Sequence, residues 1–223
     1  GLILMKPVIE IINKLSDHLR ERAFPGTAYG TPNDFERDPF RVLISTVLSH
    51  RTKDENTHDA ASRLFSKFRD ASELASAQLE EIRELIKPAG FPQAKSKAIK
   101  EIAKIIHEKY SDRVPDEIEE LLKLPMVGRK TANCVLVYGF NKDAIPVDVH
   151  VHRISNRIGL VNTKTPEETE LSLTKIVPKD LWKVINTVFI AFGKRICTPR
   201  NPKCGICPIS QYCDYFANKN ATE

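Results

Sequence analysis

The chain has 223 residues, enough for one large or two small domains with a real core. At 41% hydrophobic and 28% charged it has the composition of an ordinary soluble globular protein, and no apolar run approaches membrane-spanning length. Thirty-four Lys and Arg against 29 Asp and Glu leave +5 and a pI near 8.9, a basic bias compatible with nucleic acid without specifying it.

The opening Gly1-Leu2-Ile3-Leu4 is too short for a secretory hydrophobic region, and its lack of an initiator Met suggests an appended remnant. The reading is an intracellular protein, in cytoplasm or nucleoid if the source is prokaryotic. Val8, Ile11, Ile12, Leu15 and Leu19 fall at helical spacing, and Pro25 to Asn33 reads as a loop. Asp38-Pro39 is a cap with proline at the first helical position, ahead of an apolar helix carrying Phe40, Leu43, Ile44, Val47 and Leu48. Asp54 can cap the next helix, with Ala61, Leu64, Phe65 and Phe68; Ile99, Ile102, Ile105 and Ile106 mark another, ended before Pro115. Asp116 with Glu119 forms a capping box for a helix whose buried face is Ile118, Leu121 and Leu122. Thr165-Pro166-Glu167-Glu168 combines a capping box with a proline start, and Leu181 to Phe192 is apolar nearly all round, with Gly193 as its expected C-cap. No repeat, low-complexity tract or alternating strand pattern interrupts this, so the fold class is all-α.

The stretch from Leu124 to Asp148 organises the rest. Leu124-Pro125-Met126-Val127-Gly128 is a tight apolar turn, after which Val127, Ala132, Val135 and Leu136 resume helical periodicity. Such a helix–hairpin–helix presents N–H groups and a positive helix end to an anion such as a DNA phosphate. Lys130 stands in the first turn of the second helix, where helix electrostatics disfavour a cation. Two readings stay open: a solvated phosphate contact, or an amine whose uncharged form is favoured there and serves as a nucleophile.

LPMVGRKTA, with VDVHVHR placing Asp148 eighteen residues after Lys130, resembles the endonuclease III family of DNA glycosylases. The resemblance covers essentially the whole chain. It implies two helical lobes with a cleft between them: a six-helix barrel with the helix–hairpin–helix at 33–143, and an iron–sulfur cluster lobe from 1–32 and 144–223. It implies Lys130 as the Schiff-base nucleophile and Asp148 as its essential partner, with Val127, Gly128 and Arg129 of the hairpin at the DNA. Met126 departs from the family's usual glycine and is tolerated if its side chain points outward.

Five cysteines are present, four of them in the pattern Cys197-x6-Cys204-x2-Cys207-x5-Cys213, which argues for metal rather than disulfides. Composition alone leaves zinc and a [4Fe–4S] cluster equally open. The spacing is similar, position by position, to the endonuclease III cluster motif, and that resemblance implies [4Fe–4S]. Cys134 lies apart on the hairpin's second helix and reads as a small buried hydrophobe. The loop Thr198 to Lys203 is either an ordinary solvated loop or, as in the family, a stapled display of Arg200 and Lys203 to phosphates.

Base flipping needs a plug for the vacated space and a wedge against the opposite strand. By resemblance the plug loop is Leu48 to Asp54, where Arg51 replaces the family's usual Gln. The second loop is Gly90 to Lys95, where Phe91 replaces an aliphatic wedge beside Gln93; a core phenylalanine is the plain alternative. Asp54 is a second carboxylate candidate that a capping role would also explain. His150 and His152, two apart on a helix, read as phosphate-contact or core histidines rather than a metal pair.

The implied function is a bifunctional glycosylase and AP lyase acting as a monomer, off membranes, on double-stranded DNA containing oxidised pyrimidines or abasic sites. Two alternatives stand beside it. A monofunctional mismatch or adenine-type glycosylase would use water and often lacks the lysine; the adenine-specific kind carries a further C-terminal domain, whereas this chain stops at Glu223. A non-catalytic helix–hairpin–helix DNA-binding protein would need no Asp148.

Overall fold

The structure is a computed structural model in which residues 5–20 and 38–221 are described. The expected Pro25–Asn33 loop, the opening Gly1–Leu4 and a boundary at Asn33 lie outside the described residues. Among the described residues every regular element is helical. In chain order these are α1 (Val8–Arg20), α2 (Pro39–Leu48), α3 (Asp54–Lys67), α4 (Ala71–Ala75), α5 (Leu79–Leu85) and α6 (Pro92–Lys109). Then come α7 (Ile118–Leu121), α8 (Arg129–Cys134), α9 (Val149–Ile158), α10 (Pro166–Ile176), α11 (Trp182–Arg195) and α12 (Asp214–Ala221). A π-helical turn, Val135–Gly139, continues α8. No helix of the described residues is long and apolar enough to cross a membrane.

Two compact units result, one ending at Ala144 and holding α2 to α8, the other joining α1 to everything from Ile145 onward. Each has its own core. In the first, Leu43, Ile44, Val47 and Leu48 of α2 meet Leu64 of α3, Ile102 and Ile106 of α6, and Val135 and Tyr138 of the π-helical turn. Phe40 packs edge-on against Phe65 with ring centroids 6.5 Å apart. The second core gathers Ile11, Ile12 and Leu15 of α1, Val151 and Ile154 of α9, and Ile185, Phe189 and Phe192 of α11. Each such side chain contributes about 1.5–3 kcal/mol by leaving water, so helical periodicity in the sequence converts directly into packing.

Two expected helix starts form as read. Asp38 Oδ1 accepts the Phe40 N–H at 3.0 Å, and Thr165 Oγ1 accepts the Glu168 N–H at 3.2 Å. Glu168 answers by accepting the Lys164 N–H at 2.8 Å, one residue before the cap. Two other starts and one helix end differ. The Asp116 capping box does not form: α7 starts at Ile118 with Glu117 at the cap, because the Asp116 carboxylate pairs with Lys142 at 3.0 Å. Asp54 is the first residue of α3 rather than its cap, which is Lys53. Gly193 lies inside α11, which runs on to Arg195 with Ile196 as C-cap. A Cβ at Gly193 would stand 2.9 Å from Arg153 Nη2 and His150 Cδ2 and 3.0 Å from Ile154 Cδ1, so the glycine serves the close crossing of α9 rather than a helix end.

Helices α4 and α5 are additional to the expected elements, although Asp70 with Glu73 signals the first: Asp70 Oδ1 accepts the Glu73 N–H at 2.9 Å, and Glu73 accepts the Arg69 N–H at 2.7 Å. Gly159 ends α9 at φ 92°, a left-handed cap at which any Cβ would collide with the Asp214 carboxylate of α12.

Candidate active site

The hairpin is anchored by Leu121, Leu124 and Val127, all buried in the first core. Val127 donates its N–H to the Leu124 carbonyl at 3.2 Å, which closes the turn. Met126 takes φ 60° and is 39% exposed, so its side chain does point to solvent from a left-handed position. Gly128 is extended, with open space where a Cβ would stand, and Arg129 is exposed. Lys130, the second residue of α8, is half-buried, and the Cys134 side chain is buried in the core.

Beside Lys130 lies a residue that sequence reasoning passed over. The half-buried His50 ring places Nε2 3.0 Å from Thr131 Oγ1. Burial first, then the charges of Lys130 and Lys95, push its pKa down to about 4, so the imidazole next to Lys130 is neutral at physiological pH. No motif spacing announces it.

Arg51 and Phe91 come together in the same unit. Both are exposed, Phe91 by 57%, which removes the core reading of the phenylalanine. Both hold left-handed backbone, at φ 53° and 48°, and the Arg51 guanidinium carbon stands 5.6 Å from the Phe91 ring centroid. Gln93 is exposed two residues further on, in the first turn of α6.

In the other unit Asp148 caps α9. Its Oδ1 accepts the Val151 N–H at 2.9 Å, and its Oδ2 lies 2.8 Å from His150 Nδ1. The carboxylate side chain is only 15% exposed. His152 turns away to Thr169 Oγ1 at 2.7 Å, so the two histidines do not form a pair.

Further along α9, Arg153 and Arg157 reach the cysteine loop. Arg153 donates to the Cys197 carbonyl at 3.0 Å. Arg157 donates to the Thr198 and Pro199 carbonyls, each at 2.8 Å, and to Cys197 Sγ at 3.4 Å. One helix thus carries the Asp148 carboxylate at its start and grips the cysteine loop at its end. The i, i+4 arginine pair was the readable signal for this.

Cys197, Cys204, Cys207 and Cys213 all border one partly open pocket, with Phe192, Ile196 and Ile209 on its apolar side. No group of three or more His, Cys, Asp or Glu among the described residues converges on a single-ion position. The thiols ring a space instead, and four sulfur donors around an apolar-walled pocket fit an iron–sulfur cluster. Burial pushes the Cys207 thiol up to about 11 and raises Cys213 as well. These sulfurs become thiolates through metal binding. Arg200 and Lys203 are exposed on the intervening loop, which is braced by Thr198 Oγ1 donating to the Arg200 carbonyl at 2.9 Å and by Lys203 N–H donating to Ile196 O at 2.8 Å.

The HhH-GPD superfamily of base excision DNA repair proteins matches residues 44–179, and the iron–sulfur binding domain of endonuclease III matches residues 197–213. Endonuclease III of Thermotoga maritima is 54% identical over 191 residues, covering 86% of this chain and 90% of that protein. Endonuclease III of Bacillus subtilis is 37% identical, covering 79% and 81%. Among solved structures, a trapped endonuclease III–DNA covalent intermediate aligns with TM-score 0.84 at 31% identity, covering 96% of this chain and 97% of that one. A thermostable thymine-DNA glycosylase aligns with TM-score 0.82 at 26% identity, covering 94% and 96%.

Proposed function

The chain belongs to the endonuclease III family within the HhH-GPD superfamily, and from that premise we propose what its own residues do. It is a base excision repair DNA glycosylase of the endonuclease III type, with the AP lyase activity typical of that family. It binds DNA and carries a [4Fe–4S] cluster.

The proposal assigns the chemistry to Lys130 and Asp148, with oxidised pyrimidines and abasic sites in duplex DNA as substrates. The half-buried Lys130 in the first turn of α8 is the observation that carries it. As the base leaves, the Asp148 carboxylate stabilises the positive charge developing on the sugar. Lys130, as the uncharged amine, attacks C1′ with its lone pair as the bond to the base breaks; the C1′–O4′ bond then opens, the amine giving up a proton as O4′ takes one, and leaves an iminium. That iminium acidifies the C2′ proton; its loss sends the electron pair toward the C2′–C3′ bond and expels the 3′ phosphate.

Around this pair, Val127, Gly128 and Arg129 of the hairpin, His150, Arg200 and Lys203 meet the DNA backbone, while Arg51, Phe91 and Gln93 meet the disrupted base pair. Cys197, Cys204, Cys207 and Cys213 hold the cluster, whose contribution is a rigid support for the Arg200–Lys203 loop. Residues 33–143 form the hairpin-bearing domain and 1–32 with 144–223 the cluster domain. The protein works as a monomer inside the cell.

Borohydride tests the assignment. Reduction of the imine should leave a permanent protein–DNA adduct on lesion or abasic duplexes, and Lys130→Gln should abolish the adduct while DNA binding persists. A protein that excises bases yet never traps has water as its nucleophile, and Lys130 is then a phosphate contact.

A further inference from the structure

Lys95, in the first turn of α6, is 1% exposed. Its ammonium faces four acceptors, none of them a carboxylate: the carbonyls of Leu48 at 2.8 Å, His50 at 2.7 Å and Ala89 at 2.7 Å, and Thr52 Oγ1 at 2.8 Å. The Thr52 hydroxyl lies within donating reach of the same His50 and Ala89 carbonyls, either of which its single proton can serve, and this closes the network. A buried ammonium is costly unless its donors are satisfied, and here three carbonyls and one hydroxyl, all uncharged, satisfy them. Burial accordingly pushes its pKa down to about 8.

The positions of those carbonyls matter. His50 immediately precedes Arg51, and Ala89 lies two residues before Phe91. Arg51 and Phe91 hold φ of 53° and 48°, a left-handed region that a side chain disfavours. Such backbone persists only where its surroundings over-determine it. Lys95 does so on both sides at once, and its Nζ lies 6.0 Å from the centroid of the same Phe91 ring that Arg51 approaches to 5.6 Å. One buried cation therefore joins the end of α2, the turn bearing Arg51 and the turn bearing Phe91.

We propose that Lys95 is a positioning residue for base extrusion: it locks the Arg51 turn to the Phe91 turn so that the two exposed side chains meet the duplex at a fixed separation. This rests on the reading of Arg51 and Phe91 as the plug and the wedge. A methionine in its place has similar length but bonds none of the carbonyls, so both turns lose their common tie.

The test uses Lys95→Met and the milder Thr52→Ala, which removes one acceptor. In the DNA-free protein, the amides of His50, Thr52 and Gly90, hydrogen-bonded within their turns at 3.3, 3.2 and 3.2 Å, should exchange faster by about tenfold or more while core amides hold. Unchanged exchange in both turns overturns the proposal, whatever the enzyme's activity. On a lesion duplex, excision by Lys95→Met should fall on the order of ten- to a hundredfold, more than nicking of a preformed abasic site. That loss should disappear in an Arg51→Ala/Phe91→Ala background, where nothing is left to position. A loss that persists undiminished there makes Lys95 a plain structural residue. Should Lys95→Met fail to fold, Thr52→Ala gives the same readouts at smaller amplitude. Should the wild-type protein excise nothing, the functional reading fails, while the exchange result still decides whether Lys95 ties the turns.

Discussion

His150 Nδ1 stands 2.8 Å from Asp148 Oδ2, while the other carboxylate oxygen holds the Val151 amide at 2.9 Å. The carboxylate is thus aimed by a helix start on one side and an imidazole on the other. A cap and a charge are separable here, because asparagine caps about as well as aspartate.

Asp148→Asn should therefore fold with a stability change of no more than about 1 kcal/mol, yet lose base excision by a few hundredfold, or ~3–4 kcal/mol of transition-state stabilisation. Part of the nicking at preformed abasic sites should survive, since the base has already gone. Single-turnover excision beside thermal unfolding separates the two effects. Proportional losses in both would leave Asp148 as a cap only.

His50 makes stability depend on acid. Its folded pKa of about 4 lies below the ~6.5 of an unfolded histidine, so the unfolded chain binds the proton first as pH falls. The contribution is fully present above about pH 6.5 and is lost progressively toward pH 4. Urea midpoints measured across that window should fall less steeply for His50→Asn than for the wild type. Parallel curves would show that the imidazole titrates freely in the folded state.

The purified protein should be brown, with broad visible absorbance that is lost in Cys204→Ser. Iron and sulfide analysis checks it, and one equivalent of zinc with neither iron nor sulfide would contradict the cluster.

If Lys203 neutralises one phosphate, Lys203→Ala should weaken binding to any DNA sequence and reduce the slope of log K against log salt by about 0.9. The cluster absorbance should stay intact. A slope equal to that of the wild type would place the loop off the DNA.

Glycines 193 and 128 should behave oppositely. Gly193→Ala drives a methyl to within 3.0 Å of Arg153, His150 and Ile154, which should cost about 1–3 kcal/mol. Gly128→Ala meets nothing within 4 Å and needs no left-handed backbone, so its melting temperature should match the wild type. Equal melting temperatures for both variants would mean that α9 and α11 do not approach so closely.

The helix faces were legible because a buried stripe repeats with the helix's own period. Leu43, Ile44, Val47 and Leu48, or Ile102 and Ile106, announce their core side from spacing alone. The hairpin, Lys130, Asp148 and the four cysteines could be proposed as a site for a related reason: each is a residue type at a spacing within one short stretch. By itself the sequence determined what is local. Tertiary structure decided whatever depends on a partner far along the chain. Lys142 takes Asp116 away from its capping box, α9 turns Gly193 from a helix end into a crossing point, and Phe91 is exposed where a core position was nearly as readable. Lys95, written as one more lysine among 34 basic residues, becomes a buried tie only because carbonyls from two separate turns converge on it. Backbone carbonyls carry no side-chain identity, so no sequence pattern can announce a site built from them; only the folded path of the chain brings them together.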